Sequence, residues 1–156
     1  MELQPVLLVE DDDNDVVLFQ YAAAKAGLQN PLQVAHTGAE AARFLDGLAP
    51  GRPASGPAMV ILDIKLPGQS GVELLRHVRK DLQLHDLPVA VLTSSNAPQD
   101  IEAARISGAS GYFVKSTRLE ELVAIVRALK YIWLEPGEEV ADRDELARLS
   151  LLPVRA

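Results

Sequence analysis

Polar side chains stand at the ends of four apolar segments that have the length of short buried strands. The segments lie at 6–9, 59–62, 87–92 and 111–114, and the polar residues are Glu10, Asp11, Asp63, Thr93 and Lys115. Because open α/β sheets place functional groups at the carboxyl ends of their strands, we expect these side chains to meet at one edge. Three carboxylates, one hydroxyl and one amine would then form a single constellation.

The residue types of this constellation suit phosphoryl chemistry. Converging carboxylates repel one another, and oxygen ligands without sulfur favour a hard cation, so Mg²⁺ held partly by water is the predicted cofactor. An aspartate beside such an ion is a competent nucleophile towards phosphorus, and Asp63 in the central segment is the candidate. The Lys115 ammonium and the Thr93 hydroxyl could each bind a phosphoryl oxygen.

The elements that must position these residues alternate along the chain. Apolar runs predict five strands, at 5–9, 32–36, 59–62, 87–92 and 111–114. Capping residues, glycines and prolines delimit five helices, at about 13–26, 38–48, 70–81, 98–107 and 119–133. The alternation predicts an α/β fold, a doubly wound five-stranded parallel sheet. In the second helix, Phe44 and Leu45 are expected to face the core.

Composition narrows the class of protein. The chain of 156 residues has a net charge of −7, which argues against a broad nucleic-acid or membrane surface. With no cysteine there is no disulfide and no thiol nucleophile. No apolar run approaches the ~18 residues of a membrane helix, so we expect a cytoplasmic protein without membrane or nucleic-acid partners.

The motifs together resemble the receiver domain of two-component response regulators. The resemblance covers about residues 5–133, and the matching segments are Glu10-Asp11, Asp63, Leu66-Pro67-Gly68, Thr93 and Tyr112-Phe113-Val114-Lys115. It implies a flavodoxin-like receiver fold with strand order 2-1-3-4-5. It also implies that a histidine kinase is the phosphodonor and partner.

By this resemblance, the metal is bound by a small set of oxygen ligands. Asp11, Asp63 and the backbone carbonyl of Lys65 would bind Mg²⁺ directly, and Glu10 would contribute through water. The remaining acids of the first acidic run are expected to form a solvated, helix-capping edge that does not bind the metal. These acids are Asp12, Asp13 and Asp15.

The resemblance also assigns the phosphoryl chemistry and the switch. Asp63 would be the phosphoacceptor, with Thr93 and Lys115 as the other catalytic groups. Thr93 and Tyr112 would form the switch, because the tyrosine of receivers can swing inward when the aspartate is phosphorylated. Read from the residues alone, Tyr112 is equally compatible with a half-buried strand aromatic.

A second, shorter resemblance points to a narrower group. Receivers usually carry proline after the lysine, whereas this chain has Ser116. That residue and the segment KYIWLE at 130–135 resemble the stand-alone regulators that are paired with bacterial phytochrome kinases. The resemblance therefore implies a single-domain regulator that signals through protein contacts, with a phytochrome as its kinase.

Two other functions fit parts of the pattern. Aspartate-nucleophile phosphohydrolases use a similar sheet and Mg²⁺, but they carry a second acid two residues after the nucleophile, where this chain has Lys65. A dimeric adaptor that ignores phosphate would not need the complete set of acids, hydroxyl and amine. We therefore expect a phosphoacceptor domain that is not an enzyme, beyond its own phosphorylation and dephosphorylation.

The chain divides into a receiver domain at 1–135 and a tail at 136–156. Residues 49–57 are rich in proline and glycine and are predicted to form a surface loop. The apolar stripe of the helix at 119–133 is wider than one packing face requires, which predicts a homodimer through this helix with Trp133 as an anchor. The neighbouring helix and the strand at Tyr112 would complete the interface. The tail is a candidate dimer arm, and its leucines would cross to the partner or fold back.

Overall fold

The computed structural model describes residues 3–48, 55–135 and 143–154, which include one five-stranded parallel sheet. The strands are β1 (Val6–Val9), β2 (Leu32–Ala35), β3 (Met59–Leu62), β4 (Val89–Thr93) and β5 (Gly111–Val114). Their order across the sheet is β2-β1-β3-β4-β5, which confirms the predicted topology. β1, β3 and β4 are buried along their whole length, because helices cover both faces of the sheet.

Five helices follow the strands as predicted, and a sixth short helix lies in the tail. They are α1 (Asp13–Lys25), α2 (Gly38–Leu45), α3 (Gly71–Arg76), α4 (Pro98–Ile106), α5 (Leu119–Leu129) and α6 (Arg143–Ala147). α3 and α5 each continue into a π-helical turn, at His77–Asp81 and Lys130–Leu134. Among the described residues, none of the helices has both the length and the apolar character needed to cross a bilayer.

Side-chain caps determine where three of these helices begin. The Asp12 carboxylate accepts hydrogen bonds from two backbone N–H groups of the first turn of α1. Thr37 and Ser70 each accept one such bond, at the starts of α2 and α3. Because the first N–H groups of a helix have no partner within it, these caps begin the helices close to the carboxyl edge of the sheet.

Each face of the sheet has its own apolar core, since successive residues of a strand point to opposite faces. Leu7 and Val9 of β1 belong to the core that the sheet forms with α2, α3 and α4. Val6 and Leu8 belong to the opposite core, which α1 and α5 cover. Phe44 was expected to face the core, but it does not. It is 41% exposed, because the inward face of the short helix α2 is occupied by other side chains.

The wide apolar stripe of α5 and its π-helical turn is covered largely within the chain. Ile125, Ile132 and Trp133 are all buried, and Leu146 of α6 packs against the same core. Trp133 meets the ring of Phe113 edge-on, with 6.2 Å between the ring centroids. Trp133 is therefore a core residue in this structure and not an exposed anchor.

The described part of the tail folds back onto its own chain along the free edge of β5. The backbone N–H of Leu151 donates to the carbonyl of Tyr112 at 2.7 Å. The N–H of Tyr112 in turn donates to the Ser150 hydroxyl at 3.0 Å. Leu149 and Leu151 keep 40% and 48% of their surface exposed. The role of the tail as a dimer arm stays a prediction.

Candidate functional site

The register of the central strands brings two acids to the same level of the sheet. Val9 pairs with Leu62, so the next residues, Glu10 and Asp63, leave neighbouring strands side by side. Carboxylate oxygens of Glu10, Asp11 and Asp63 all lie within 4.8 Å of one another. Glu10 and Asp63 are buried, and Asp11 is exposed. The three acids that the sequence predicted to meet therefore form one cluster.

Lys115 brings its ammonium into the acidic cluster from β5. Its Nζ lies 2.7 Å from Asp63 Oδ2 and 2.8 Å from Asp15 Oδ2, and it also forms an ion pair with Glu10. Burial alone would lower the pKa of Lys115, but its hydrogen bonds to the Asp15, Asp63 and Glu10 carboxylates raise that pKa above the ordinary lysine value. The lysine therefore stays charged and ties β5 to the acids beyond β1 and β3.

One ammonium does not neutralise this group of carboxylates. Burial, with a smaller contribution from the charge on Asp63, raises the pKa of Glu10 to about 7 against the opposing hydrogen bonds from Lys115 and the Asp12 N–H. A cation bound to the acids would relieve this repulsion. Clustered oxygen ligands, some buried and one exposed, fit a hard divalent ion that keeps part of its water shell.

Thr93 is the last residue of β4. Its backbone carbonyl accepts a hydrogen bond from the backbone N–H of Lys115 at 2.8 Å. Its side chain is fully buried, and the hydroxyl has no hydrogen-bond partner among the described residues. Leaving a buried hydroxyl unpaired costs about 1–3 kcal/mol. The Thr93 hydroxyl therefore has unused hydrogen-bonding capacity at the end of β4, and its role in binding a phosphoryl oxygen stays a prediction.

Tyr112 is fully buried and points inward, whereas the residue pattern alone allowed a half-buried position. Its hydroxyl donates to the Ser95 carbonyl at 2.8 Å, and the Ser95 hydroxyl donates to Asp100 at 2.5 Å. Asp100 also pairs with Lys65 Nζ at 3.2 Å, and the Lys65 N–H donates to Asp63 Oδ1 at 2.9 Å. Polar contacts therefore run without a break from the Asp63 loop to Tyr112.

Two residues of this site were missed from the sequence. Asp15 was expected in a solvated edge, but its carboxylate pairs with Lys115, while Asp12 caps α1 as expected. Asp100 links Lys65 to Ser95, because its carboxylate pairs with the Lys65 ammonium and accepts a hydrogen bond from the Ser95 hydroxyl. The position of Asp15 could have been found from the helix start: α1 begins at Asp13, two residues after Asp11, so side chains of its first turn reach the carboxyl edge.

The fold is that of a receiver module, and comparison with known proteins shows the same family. The sequence model of the family "response regulator receiver domain" matches residues 6–127 of this chain. The chain therefore belongs to the response regulator receiver domain family of two-component signalling. The match ends before the tail, which the family model does not describe.

The match to this chain covers most of the length of two curated relatives. The probable methanogenesis regulatory protein FilR2 of Methanothrix harundinacea is 32% identical over 129 residues, which are 83% of each chain. The response regulator Rcp1 of Synechocystis is 30% identical over 130 residues, 83% of this chain and 88% of Rcp1.

Solved structures place the chain near regulators linked to phytochromes. The phosphorylated cyanobacterial phytochrome response regulator RcpA has a TM-score of 0.75 at 30% identity, covering 87% of this chain and 97% of RcpA. The Mn²⁺-bound form of Rcp1 has a TM-score of 0.72 at 28% identity, covering 88% and 99%. The bacteriophytochrome response regulator RtBRR has a TM-score of 0.67 at 33% identity, covering 96% and 87%.

Proposed function

We propose that this protein is a single-domain response regulator that accepts a phosphoryl group on Asp63 from a histidine kinase, with Mg²⁺, and signals through protein contacts. The observation that carries the proposal is the Lys115 ammonium beside the buried Asp63, next to an unpaired Thr93 hydroxyl. Together these groups supply a nucleophile, a positive charge and a free donor at one edge of the sheet.

In the proposed reaction, a carboxylate oxygen of Asp63 forms a bond to phosphorus. The bond between phosphorus and the donor atom breaks, and the donor leaves with the electron pair. Lys115 and Thr93 bind oxygens of the transferred group, so catalysis consists of positioning and charge neutralisation. When a small donor such as acetyl phosphate is used, the leaving group is acetate, which needs no general acid or base. This agrees with the presence of Lys65 in the position where phosphohydrolases have an acid.

The proposed metal ligands are Asp11, Asp63 and the Lys65 backbone carbonyl, with Glu10 acting through water. The clustered carboxylates and the raised pKa of Glu10 support a divalent ion here, as does the Mn²⁺-bound form of the relative Rcp1. When bound, Mg²⁺ would neutralise charge on the carboxylates and on the incoming phosphoryl group. Asp11 is exposed, whereas Glu10 and Asp63 are buried, so an ion could reach the cluster from the side of Asp11.

Asp11→Ala is expected to weaken Mg²⁺ binding by roughly tenfold or more, because it removes one of few carboxylate ligands. The metal-free fold should be at least as stable as the wild type, since the substitution relieves repulsion between acids. Calorimetric titration of Mg²⁺ and urea unfolding would measure the two effects. Asp13→Ala is the matched control, as it removes an exposed carboxylate two residues further along. Equal Mg²⁺ affinities in the two variants would contradict the ligand assignment.

The proposed phosphodonor is a histidine kinase of the phytochrome type, in the cytoplasm. The support is the likeness to RcpA and RtBRR, together with the Ser116 and KYIWLE signatures. Incubation with labelled acetyl phosphate and Mg²⁺ tests the phosphoacceptor function without the kinase. Stoichiometric labelling would support it. Steady release of phosphate at enzymatic rates would indicate a phosphohydrolase, and no labelling would indicate an adaptor.

We propose that the output is set by Thr93 and Tyr112. A phosphoryl group bound to the Thr93 hydroxyl would draw the end of β4 towards Asp63. Tyr112 is already tied to that loop through the Ser95 carbonyl, so a shift of the loop would change the packing of the tyrosine. Phosphorylation would thus shift the population of two packings near α4 and β5.

We also propose a homodimer through α5 with α4, β5 and the tail. The charged residues at the start of α5, Arg118, Glu120 and Glu121, are exposed and of mixed sign, which suits a two-fold interface. Exposed apolar side chains on the neighbouring elements could supply its apolar centre. They are Ile106, Leu149 and Leu151.

Sedimentation should show a wild-type dimer with a dissociation constant below roughly 10 µM. The variants Leu149→Glu and Leu151→Glu should each dissociate at least tenfold more readily, because they charge the apolar centre and leave the buried residues of the tail in place. Phe44→Glu is the control, since it charges an exposed apolar residue of α2, a helix that is not part of the proposed interface. A wild type that stays monomeric with a phosphoryl mimic bound would contradict the dimer. Trp133→Ala is unsuitable, since that residue packs in the core.

A further inference from the structure

We propose that Asp15 is a positioning residue of the phosphoacceptor site: it holds one donor of the Lys115 ammonium and releases it to the phosphoryl group. This inference deepens the proposed function and rests on it. Asp15 belongs neither to the predicted metal ligands nor to the predicted catalytic groups, and its carboxylate lies 2.8 Å from Lys115 Nζ.

The argument begins with the donors of the lysine. An ammonium has three N–H donors, and Lys115 has three carboxylate partners, Asp15, Glu10 and Asp63. All three donors are therefore engaged in the structure. A phosphoryl oxygen can bind Lys115 only if one of these carboxylates gives up its contact.

The burial of the three partners decides which contact is exchanged. The side chains of Glu10 and Asp63 are 5% and 6% exposed, whereas that of Asp15 is 36% exposed. Rehydrating a carboxylate that already faces water costs little, whereas a buried one would lose a hydrogen bond that water cannot readily replace, which costs more. Asp15 is therefore the partner that Lys115 exchanges.

This exchange has a defined effect on the transfer reaction. When Asp63 forms its bond to phosphorus, the bond between phosphorus and the donor atom breaks, the donor leaves with the electron pair, and a dianionic phosphoryl group remains on Asp63. The released donor of Lys115 binds one of its oxygens. The Asp15 carboxylate competes for that donor, and it adds negative charge near the incoming anion, so it opposes binding of the phosphoryl group.

The test compares the wild type with Asp15→Asn, Asp15→Glu and Asp13→Asn. Asp13→Asn removes the same charge from the same turn of α1. The side chain of Asp13 is 90% exposed, and no contact between Asp13 and Lys115 is seen among the described residues. The measured quantities are the affinity for beryllofluoride at saturating Mg²⁺, and KM and maximum rate for labelling by acetyl phosphate. A third is the NMR signal of the Lys115 ammonium in metal-free protein.

Asp15→Asn should bind beryllofluoride roughly two- to fivefold more tightly, the factor expected for a partly exposed ion pair. Its KM for acetyl phosphate should fall by a similar factor, and the Lys115 signal should shift. Asp15→Glu should return towards the wild-type values, and Asp13→Asn should match them. A merely structural role of Asp15 would change stability without changing KM or the Lys115 signal.

The inference is overturned if Asp15→Asn and Asp13→Asn agree in beryllofluoride affinity and in KM, or if the Lys115 signal is unchanged in Asp15→Asn. Tighter binding in both variants would show a general effect of charge and would overturn it equally. These outcomes presuppose a wild type that is labelled. A wild type that acetyl phosphate does not label would instead refute the proposed function.

Discussion

Replacing Asp63 by asparagine is expected to abolish phosphoryl labelling and to leave the fold intact. The neutral amide is a poor nucleophile, so no bond to phosphorus forms even when the donor is bound. The amide has nearly the same shape as the carboxylate, and its oxygen can still accept the Lys65 N–H that Asp63 Oδ1 accepts at 2.9 Å. The loop after β3 should therefore keep its conformation.

The stability of the Asp63→Asn variant should change little, because two effects oppose each other. The substitution removes an ion pair with Lys115, which retains Glu10 and Asp15 as partners. It also removes a negative charge that raises the pKa of the buried Glu10. Mass spectrometry after incubation with acetyl phosphate and Mg²⁺ measures the labelling, and circular dichroism measures the fold.

Asp13→Asn serves as the control for this experiment, since it removes an acid near the same edge without touching the proposed nucleophile. It should acquire one phosphoryl group per chain, as the wild type should. If Asp63→Asn acquired one as well, another residue would be the phosphoacceptor and the site would have to be reassigned.

The sheet and the acidic cluster could be predicted because their signals are local. Four consecutive apolar residues, as in β1 and β3, identify a strand buried on both faces, and the polar residue that follows identifies its carboxyl end. Once β1 and β3 are known to be neighbours, the pairing of Val9 with Leu62 places Glu10 beside Asp63. The strand order itself came from the resemblance to receivers and not from the residues.

Contacts between distant segments could not be predicted in this way. Asp15 and Lys115 are separated by 100 positions in the sequence, and their contact depends on the direction in which α1 leaves the sheet. The same limit applies to Trp133, because the apolar stripe of its helix is compatible both with burial in the core and with a subunit interface. The tertiary packing of Trp133, which includes the edge-on contact with Phe113 and a core that α6 helps to cover, shows that it is buried within the chain.

A glycine that the sequence did not single out has a large predicted effect on the site. Gly71 is the first residue of α3, and its N–H donates to the Ile64 carbonyl at 3.2 Å, in the loop that carries Asp63. A Cβ at this position would lie 2.4 Å from the carbonyl oxygen of Asp63 and 2.5 Å from the Cα of Ile64. Both atoms belong to the backbone, so no side-chain rotation can relieve the clash.

Gly71→Ala is therefore expected to lower the free energy of unfolding by about 2–3 kcal/mol, the upper part of the usual range for an overpacked core position. Helix propensity acts in the opposite direction, since alanine favours a helix over glycine by up to about 1 kcal/mol. The steric effect should exceed it. Because the clash displaces the backbone of Asp63 itself, the folded variant should also be labelled by acetyl phosphate more slowly than the wild type.

Gly38→Ala provides a matched control for this variant. Gly38 is likewise the first residue of a helix and follows a capping Thr37, as Gly71 follows Ser70. Its Cβ would come closest to the side-chain amide of Gln69, at 3.1 Å, and that side chain can move. Gly38→Ala should therefore stay within about 1 kcal/mol of the wild type. Urea unfolding of both variants, with labelling rates normalised to folded protein, measures the difference. Equal stabilities and equal rates would show that the Asp63 loop can shift at little cost, and Gly71 would then have no part in holding the phosphoacceptor in place.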